Sequence, residues 1–412
     1  MTPSSSLRHF IRGTLGTGGG VLARAVGSLV VNKLFATLAP AGGLTLLAQF
    51  QNLMALLTAV PNDGVHVGLV KFLAPLWPGS PRYRAWLGAA SVLNLLALLA
   101  GGAVLLASGW EGWSTGALLG IMLGVGLITA QSLLGSALLA AGRLAAFVGL
   151  TVALAMLGTA GAAGALLRGW AVQPALLAYL LAQGLAAGPA LVLAGRAGLL
   201  RGLRLRWPVS RVAGRGLGRF LLMALSSLLF GKAVDFALRA YLLAHFGPAR
   251  ADLWQTVAKL SDNYTMVFAA VMSSVFYPRL AALMPQPTAA RAYRRAVLGL
   301  LAPLLAAGLS LIFVLRDWLL PLLFSPRLLA ARELLAPQLL GDWAKFLSWV
   351  FIFQLSAQAR TGRYVAVQAG SAVAFAALLA GLLPALGLAG AVWAHAARYG
   401  VLLVWCALFI KR

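Results

Sequence analysis

The chain has 412 residues, of which 61% are hydrophobic and 10% are charged, and its mean hydropathy is +0.90. This composition excludes a water-soluble globular protein and predicts a membrane protein. About twelve spans of about 20 residues use roughly 240 residues, which leaves short loops and no room for a folded catalytic module outside the membrane. The single cysteine, Cys406, excludes an intramolecular disulfide and a Cys-rich metal site.

Apolar segments bounded by Pro, Gly and charged residues follow one another along the chain and predict an all-α polytopic fold. We expect the first segment to be a retained span, because no small-residue cleavage site follows a short apolar run. An Arg-rich stretch at mid-chain predicts an N-terminal six-helix bundle over 1–196, a cytoplasmic linker over 197–216 and a C-terminal six-helix bundle over 217–412. The segments are 13–38, 42–74, 85–108, 114–141, 145–167, 174–196, 217–245, 252–282, 296–316, 331–358, 364–383 and 387–409.

The formal net charge of +25 is divided unevenly between the two sides of the predicted membrane. Most Lys and Arg residues in the predicted loops, including those of the stretch 196–219, lie on the side of the two termini. The positive-inside rule therefore places both termini in the cytoplasm, as in a protein of the bacterial inner membrane. Anionic lipid headgroups suffice as partners for these cations, so we expect no binding of nucleic acid.

A weak internal repeat relates the two predicted bundles. The segments 38–53 (LAPAGGLTLLAQFQNL) and 246–260 (FGPARADLWQTVAKL) each place a Pro-Ala turn between a helix that carries a cation and a helix that opens with Gln. Two six-helix halves imply pseudo-twofold symmetry and a substrate site at their interface. Chance similarity of short membrane turns is the alternative explanation.

Charged and polar residues inside the predicted spans form stripes on single helix faces. A charge at the centre of a span costs about 2.5 to 3.5 kcal/mol on insertion scales, so it should face protein or water and is a candidate for function. Spacings of three, four and seven residues place the members of a stripe on one face. The stripes are Asn52, Asp63 and His66, allowing for a kink at Pro61; Lys232, Asp235 and Arg239; Gln255, Lys259 and Asp262; and Gln338, Asp342 and Lys345.

Four further cations lie within the predicted spans, namely Arg24, Lys33, Lys71 and Arg398. Lys33 points away from the helix face of Arg24 and lies near a span end, where a long side chain can reach the interface. Ion pairs that hold helices together are one explanation for the intramembrane charges. With the four cations of the stripes, however, the spans contain eight such cations. The four acids of the stripes, Asp63, Asp235, Asp262 and Asp342, cannot neutralise all of them, which favours a water-filled cavity with excess positive charge. Such a cavity selects an anionic substrate.

Two other patterns carry no cofactor or metal site. The Gly-rich segment 13–20 lacks the Lys-Ser/Thr ending of a phosphate-binding loop, and small residues that let helices approach closely explain it better. The four histidines show no metal-ligand spacing among themselves. Only His66 lies on a polar face, where we expect it to contact substrate or to titrate.

Four segments of the chain resemble the Wzx family of lipid-linked oligosaccharide flippases. They are DLWQTVAKLSDNYTMVF (252–268), FYPRLAAL (276–283), ELLAPQLLGDWAKFLSWVF (333–351) and NKLFATLAPAGGLTLLAQFQNL (32–53). The resemblance covers essentially the whole chain, and it is closest to the lipid III type.

The resemblance implies the two-bundle fold of the multidrug, oligosaccharidyl-lipid and polysaccharide (MOP) exporter superfamily, and a transporter rather than an enzyme. Its substrate would be an undecaprenyl-diphosphate-linked oligosaccharide, such as an O-antigen or enterobacterial common antigen unit, turned from the cytoplasmic to the periplasmic leaflet. The polysaccharide polymerase and chain-length machinery would be its protein partners. Lys232 and Asp235 lie outside the matched segments, so their place in the cavity depends on spacing alone. The cavity residues that the resemblance implies are Arg24, Lys71, Arg239, Asp262, Asp342 and Lys345.

Other functions are open as alternatives. A cation-coupled multidrug exporter of the same superfamily should line its cavity with acids, whereas cations dominate in this sequence. A lipid II flippase typically carries two further helices, for which the chain has little room. A membrane polymerase or ligase acting on the same lipid would need a large periplasmic loop, but the longest one predicted, near 317–330, is short.

Overall fold

The computed structural model describes residues 20, 23–108, 112–201, 210–358 and 361–409, which form helices joined by short turns. π-helical turns at Val60–His66 and Met272–Phe276 join α2 to α3 and α9 to α10, and a 3-10 helix, Pro326–Leu334, precedes α13. The α-helices are α1 (23–38), α2 (Gly43–Ala59), α3 (Val67–Leu73), α4 (Pro81–Ser108), α5 (Thr115–Ala140), α6 (Leu144–Leu167), α7 (Val172–Gly184), α8 (Ala187–Arg196), α9 (Arg211–Val271), α10 (Tyr277–Leu283), α11 (Pro287–Val314), α12 (Arg316–Leu323), α13 (Leu335–Ala357), α14 (Thr361–Leu386) and α15 (Leu388–Phe409).

The described helices confirm the prediction of an all-α polytopic membrane protein. The predicted spans fall on helix over most of the residues that the structure describes, although a turn at Leu185 and Ala186 interrupts the span 174–196. Within the described ranges, seven helices are long and apolar enough to cross a membrane, or eight if the bent pair Gly43–Ala59 and Gly64–Leu73 is one span. Two other long helices, α9 and α13, are the ones that carry the charged stripes in the C-terminal half.

The helix α9 contains two of the predicted spans and is broken at Gly247, where φ is 78° and ψ is 168°. Glycine adopts a positive φ without a steric penalty, and the following Pro248 is favourable in the first turn of a new helix. A hydrogen bond joins residue 239 to residue 255, eight positions on either side of the break. The two parts of α9 therefore lie side by side at this level.

The structure corrects one predicted loop. The segment near 317–330 was expected to be a periplasmic loop, but most of it lies in α12 and in the 3-10 helix Pro326–Leu334. The reason is its content of buried apolar residues, since Leu320, Phe324 and Leu328 are each less than 5% exposed. These side chains pack inside the protein, which a solvated loop could not do.

The chain divides into two compact units. One contains Met1–Val31 and Gln49–Lys232, and the other contains Asn32–Ala48 and Ala233–Arg412. The first has a core that includes Leu69, Leu87 and Leu138. In the second, α13 packs against α15, α11 and α10.

Close packing of α13 against α15 depends on Gly341. A Cβ atom at this position would lie 2.4 Å from His395 Cδ2 and 2.9 Å from Ala396 Cα. Membrane helices approach closely where small residues line their interface. The absence of a side chain at Gly341 thus brings His395 next to the charged stripe of α13.

Candidate functional site

The carboxylate of Asp342, on α13, is the centre of a buried polar cluster in the second unit. The residue is 0% exposed. Tyr264 donates a hydrogen bond to Asp342 Oδ2, and Gln338 Nε2 donates to the same oxygen at 3.3 Å. His395 Nε2 lies 3.0 Å from Asp342 Oδ1, and Lys345 Nζ lies 3.6 Å from it. Side chains from α9, α13 and α15 therefore converge on one carboxylate, which allows it to be buried in its ionised form.

Lys345 is held in place from several directions. Besides its contact with Asp342, its ammonium donates a hydrogen bond to Thr265 Oγ1 at 2.8 Å. It also lies 5.4 Å from the ring centroid of Phe346 and 5.8 Å from that of Trp349, within the range of cation–π attraction. These contacts fix the position of a buried cation beside Asp342.

The helix α15 carries a second cation, Arg398, three residues after His395. His395 makes an edge-to-face ring contact with Tyr399. Arg398 Nε donates a hydrogen bond to Ser371 Oγ at 2.8 Å, and its guanidinium carbon lies 4.9 Å from the ring centroids of Phe375 and Tyr399. Arg398 is held by a hydroxyl and by aromatic faces in these contacts.

Arg239 lies before the break in α9 and contacts residues after it. Its Nε donates a hydrogen bond to Gln255 Oε1 at 2.7 Å, and its guanidinium carbon lies 5.7 Å from the ring centroid of Trp254. Arg239 is 5% exposed and Gln255 is 0% exposed. Gln255 Nε2 is buried and has no hydrogen-bond partner among the described residues. Arg239 Nη1 also donates to the backbone carbonyl oxygen of Asp235 at 3.4 Å, so the donor left without a partner in this pair is Gln255 Nε2.

Asp235 and Asp262 link these two groups electrostatically. The charges of both acids act on Arg239 and on Lys345. Asp262 itself is exposed, whereas Lys259 is 8% exposed. Members of all three C-terminal stripes therefore interact electrostatically.

The predicted residues of the first unit are not gathered in the same way. Arg24 and Lys71 are both exposed, and Lys71 Nζ lies 5.8 Å from the ring centroid of the adjacent Phe72. The side chains of Asp63 and Lys232 are outside the part that the structure describes. These positions stay as sequence-based predictions.

His66 and Asn52 lie in the polar stripe of the first unit. His66 Nδ1 is hydrogen-bonded to the hydroxyl of Ser136 and lies 3.2 Å from the carbonyl oxygen of Ser132, which ties the π-helical turn to α5. Asn52 is 7% exposed, and its Nδ2 has no hydrogen-bond partner among the described residues. Such a buried amide is available for a polar ligand.

Asp252, in one of the segments that carry the family resemblance, connects the two Pro-Ala turns of the repeat. Its carboxylate accepts hydrogen bonds from the backbone N–H of Gly42 at 2.7 Å, from the backbone N–H of Thr45 at 2.8 Å and from Thr45 Oγ1 at 2.7 Å. Thr45 lies in the first turn of α2, where backbone N–H groups have no partner within the helix. Asp252 therefore caps a helix that begins more than two hundred residues earlier in the chain.

Two further cations, Lys33 and Arg327, form hydrogen bonds near the Pro-Ala turn that precedes α2. Lys33 Nζ donates hydrogen bonds to the carbonyl oxygens of Pro321 at 2.9 Å and Leu322 at 2.6 Å. Arg327 Nη2 donates to the carbonyl oxygen of Ala39 at 2.7 Å. Lys33 thus has a specific structural role beyond reaching the membrane interface.

Sequence reasoning missed several members of the cluster. Tyr264, Thr265 and His395 were not predicted as site residues. A signal for His395 was present, because His395, Arg398 and Tyr399 share one face of α15 at i, i+3 and i+4. No group of three or more His, Cys, Asp or Glu side chains in the described ranges is arranged to hold a metal ion.

Comparisons with known proteins agree with the resemblance seen in the sequence. No family model matches the chain. Over 421 aligned residues it is 28% identical to the lipid III flippase of Escherichia coli (strain K12), covering 96% of the chain and 98% of that protein, and the lipid III flippase of Shigella flexneri matches equally well.

Solved structures share the fold. The inward closed conformation of the lipid II flippase MurJ has a TM-score of 0.71 at 11% identity and covers 97% of the chain and 87% of MurJ. An outward-facing multidrug resistance MATE family transporter of the MOP superfamily has a TM-score of 0.70 at 14% identity and covers 98% of the chain and 94% of that transporter. These relatives and structural neighbours are flippases and transporters. The chain is a multi-pass membrane protein with the fold of MOP-superfamily transporters, and its near full-length similarity to lipid III flippases confirms the resemblance to the Wzx type.

Proposed function

We propose that the chain is a flippase that carries an undecaprenyl-diphosphate-linked oligosaccharide from the cytoplasmic to the periplasmic leaflet of a bacterial inner membrane. The observation that carries this proposal is the charge balance of the buried stripes. Among the stripe residues described in the second unit, Arg239, Lys259 and Lys345 are buried cations, and Asp342 is the buried acid. This surplus of positive charge favours a ligand that carries negative charge of its own.

The diphosphate is the part of the substrate that matches this surplus. The guanidinium of Arg239 and the amide donor of Gln255 Nε2, which has no hydrogen-bond partner among the described residues, match phosphate oxygens in charge and in hydrogen-bonding character. Lys345 adds a fixed ammonium group beside Thr265. In this proposal the cationic cavity is lined by Arg24, Asn52, Asp63, His66, Lys71, Lys232, Asp235, Arg239, Gln255, Lys259, Asp262, Asp342 and Lys345.

The mechanism we propose is alternating access with no bond made or broken. The cations replace the hydration of the diphosphate, the sugar head crosses in water, and the prenyl chain stays in the lipid. Outward movement of an anion is favoured by an inside-negative membrane potential by about 2.3 kcal/mol per charge per 100 mV. The potential alone can therefore drive turnover, and a proton cycle on Asp262 or Asp342 is an additional option.

This function places the chain in the inner membrane with both termini in the cytoplasm, as the positive-inside rule predicts. Its substrate would then reach the polysaccharide polymerase and chain-length machinery on the periplasmic side. A cation-coupled drug exporter is the competing proposal. The surplus of buried cations described above argues against it, because cationic drugs would be repelled.

Transport in reconstituted vesicles tests the proposal. We expect Arg239→Gln and Lys345→Gln to slow the flipping of undecaprenyl-diphosphate-linked oligosaccharide at least about tenfold, the effect of losing one charge-assisted hydrogen bond. Arg250→Gln is the matched control, because Arg250 is exposed and lies just after the break in α9. Wild-type rates for both cavity variants, or uptake of a cationic dye in place of flipping, would contradict the proposal.

A further inference from the structure

A second basic site lies away from the Asp342 cluster, at one end of the second unit. It is a pocket of about 110 Å³ beside the start of α11 and the end of α13. Pro287 is the first residue of α11, and Gln358 follows the last residue of α13. Because α11 is a candidate membrane span, its first turns lie at the level of the lipid headgroups. The pocket is lined by Met284, Pro287, Ala290, Arg291, Arg294, Gln354 and Gln358.

The polar wall of this pocket is built around Arg294. The residue is 5% exposed, its Nη1 donates a hydrogen bond to Gln354 Oε1, and its guanidinium carbon lies 5.4 Å from the ring centroid of Phe351. The charges of Arg291 and Arg295, which are both exposed, act on Arg294. A guanidinium carries a permanent positive charge and N–H donors, which attract an anion to the pocket. The local potential is strongly positive.

The pocket also contains an amide that follows the end of α13. Gln358 Oε1 is buried and has no hydrogen-bond partner in the ranges that the structure describes. A buried acceptor of this kind costs free energy unless a donor reaches it. Met284, Pro287 and Ala290 complete the lining with apolar groups. The ligand that fits has anionic oxygens, a hydroxyl or amine that can donate, and an apolar part.

We propose that this pocket binds the phosphate group of a lipid headgroup. A phosphate at the membrane surface meets the arginines, a headgroup hydroxyl reaches Gln358, and the acyl or prenyl chains remain in the bilayer. Basic pockets between transmembrane helices bind anionic headgroups in this way. The phosphate can come from an anionic phospholipid or from a polyprenyl phosphate, and the site is separate from the residues of the proposed transport cavity.

Lipid binding to the purified full-length protein in detergent tests the proposal. Native mass spectrometry would be used to titrate phosphatidylglycerol, undecaprenyl phosphate, inorganic phosphate and, as an uncharged reference, diacylglycerol. We expect saturable binding of at least one lipid phosphate and no saturable binding of diacylglycerol. Binding of both lipid phosphates identifies a general headgroup site, and binding of undecaprenyl phosphate alone identifies a polyprenyl site. Binding of inorganic phosphate without either lipid, or of no probe at all, would overturn the proposal.

Variants separate the pocket from the general surface charge. Arg291→Gln should weaken binding about tenfold, the loss of one charge-assisted hydrogen bond, while Arg295→Gln removes the same charge outside the pocket and should change binding less than twofold. Ala290→Leu fills the pocket without any change of charge and should weaken binding by a similar factor to Arg291→Gln. Melting temperatures show which variants are folded. Equal weakening by Arg291→Gln and Arg295→Gln would show a surface-charge effect and refute the site. None of these measurements depends on transport, so their failure would leave the proposed function standing.

Discussion

Asp252 and Thr45 are joined by two hydrogen bonds to the same carboxylate oxygen, one from the backbone N–H of Thr45 and one from its hydroxyl. Gly42 N–H donates to the other oxygen. The turn at Gly42 is tight, because φ is 89° there and a Cβ atom would lie 2.6 Å from Pro248 Cβ. A positive φ and a close contact both require glycine at this position. The carboxylate and the glycine together hold the start of α2 against the turn at Pro248.

Asp252→Ala should destabilise the protein more than any single change at an exposed acid. It leaves two buried backbone N–H groups and a hydroxyl without their acceptor, at a cost of about 1 to 3 kcal/mol for each unsatisfied group. Thr45→Val removes only the hydroxyl contact and should cost about 1 kcal/mol. Thermal unfolding in detergent measures both changes. Glu333→Ala is the control, since Glu333 is exposed and should shift the melting temperature little.

The pair Asp342 and Lys345 can be tested for its role by a double-mutant cycle. Lys345→Met leaves a buried carboxylate with fewer partners, and Asp342→Asn leaves a buried ammonium, so each single change should cost about 3 to 5 kcal/mol of stability. The double variant removes both charges and should recover much of that loss. Transport should stay low in the double variant, because the cation that we assign to the diphosphate is gone. Recovery of both stability and transport would show that the pair serves only to hold helices together.

Arg239→Lys tests whether the shape of the cation matters as well as its charge. Lysine keeps the positive charge but loses the planar fork, the contact of Nε with Gln255 and the position over Trp254. We expect flipping to fall several-fold to tenfold in reconstituted vesicles, with the protein still folded. Arg250→Lys, at an exposed position, should retain wild-type transport. An Arg239→Lys variant with full activity would show that charge alone suffices.

Gly341→Ala should separate α13 from α15. The new Cβ atom would meet His395 Cδ2 and the backbone of Ala396, and overpacking of this kind costs about 1 to 3 kcal/mol. The shift would also move His395 away from Asp342. Gly370→Ala, on α14, has no atom within 4 Å of its new Cβ and should be neutral or stabilising by up to about 1 kcal/mol. Melting temperatures of the two variants, compared with transport rates, measure the effect.

The helical fold was predictable because long apolar segments leave a clear signal in the sequence. The charged stripes were predictable for the same reason, since each lies on one helix and the spacing of its members fixes their common face. Contacts between helices were not predictable in this way. Nothing in the local pattern shows that Tyr264 and His395 meet Asp342, because these residues are distant in sequence.

Helix boundaries and loops were predicted with mixed success. The break in α9 agrees with the boundary expected near Gly247 and Pro248. The segment near 317–330 is predicted to be a loop between two spans, whereas the structure buries its leucines and a phenylalanine in helical turns. Helix-breaking residues mark the ends of helices, but they do not determine whether the short segment between two helices is exposed to solvent.

The segment Asn32–Ala48 has a consequence for biogenesis. It is translated early, yet it belongs to the unit that otherwise contains Ala233–Arg412. Thr45 leaves the ribosome 207 residues before its partner Asp252, a delay of about 10 to 40 s at 5 to 20 residues per second. During that interval the start of α2 lacks its cap and must rely on water, on lipid headgroups or on a chaperone. The second unit can therefore complete its folding only late in translation.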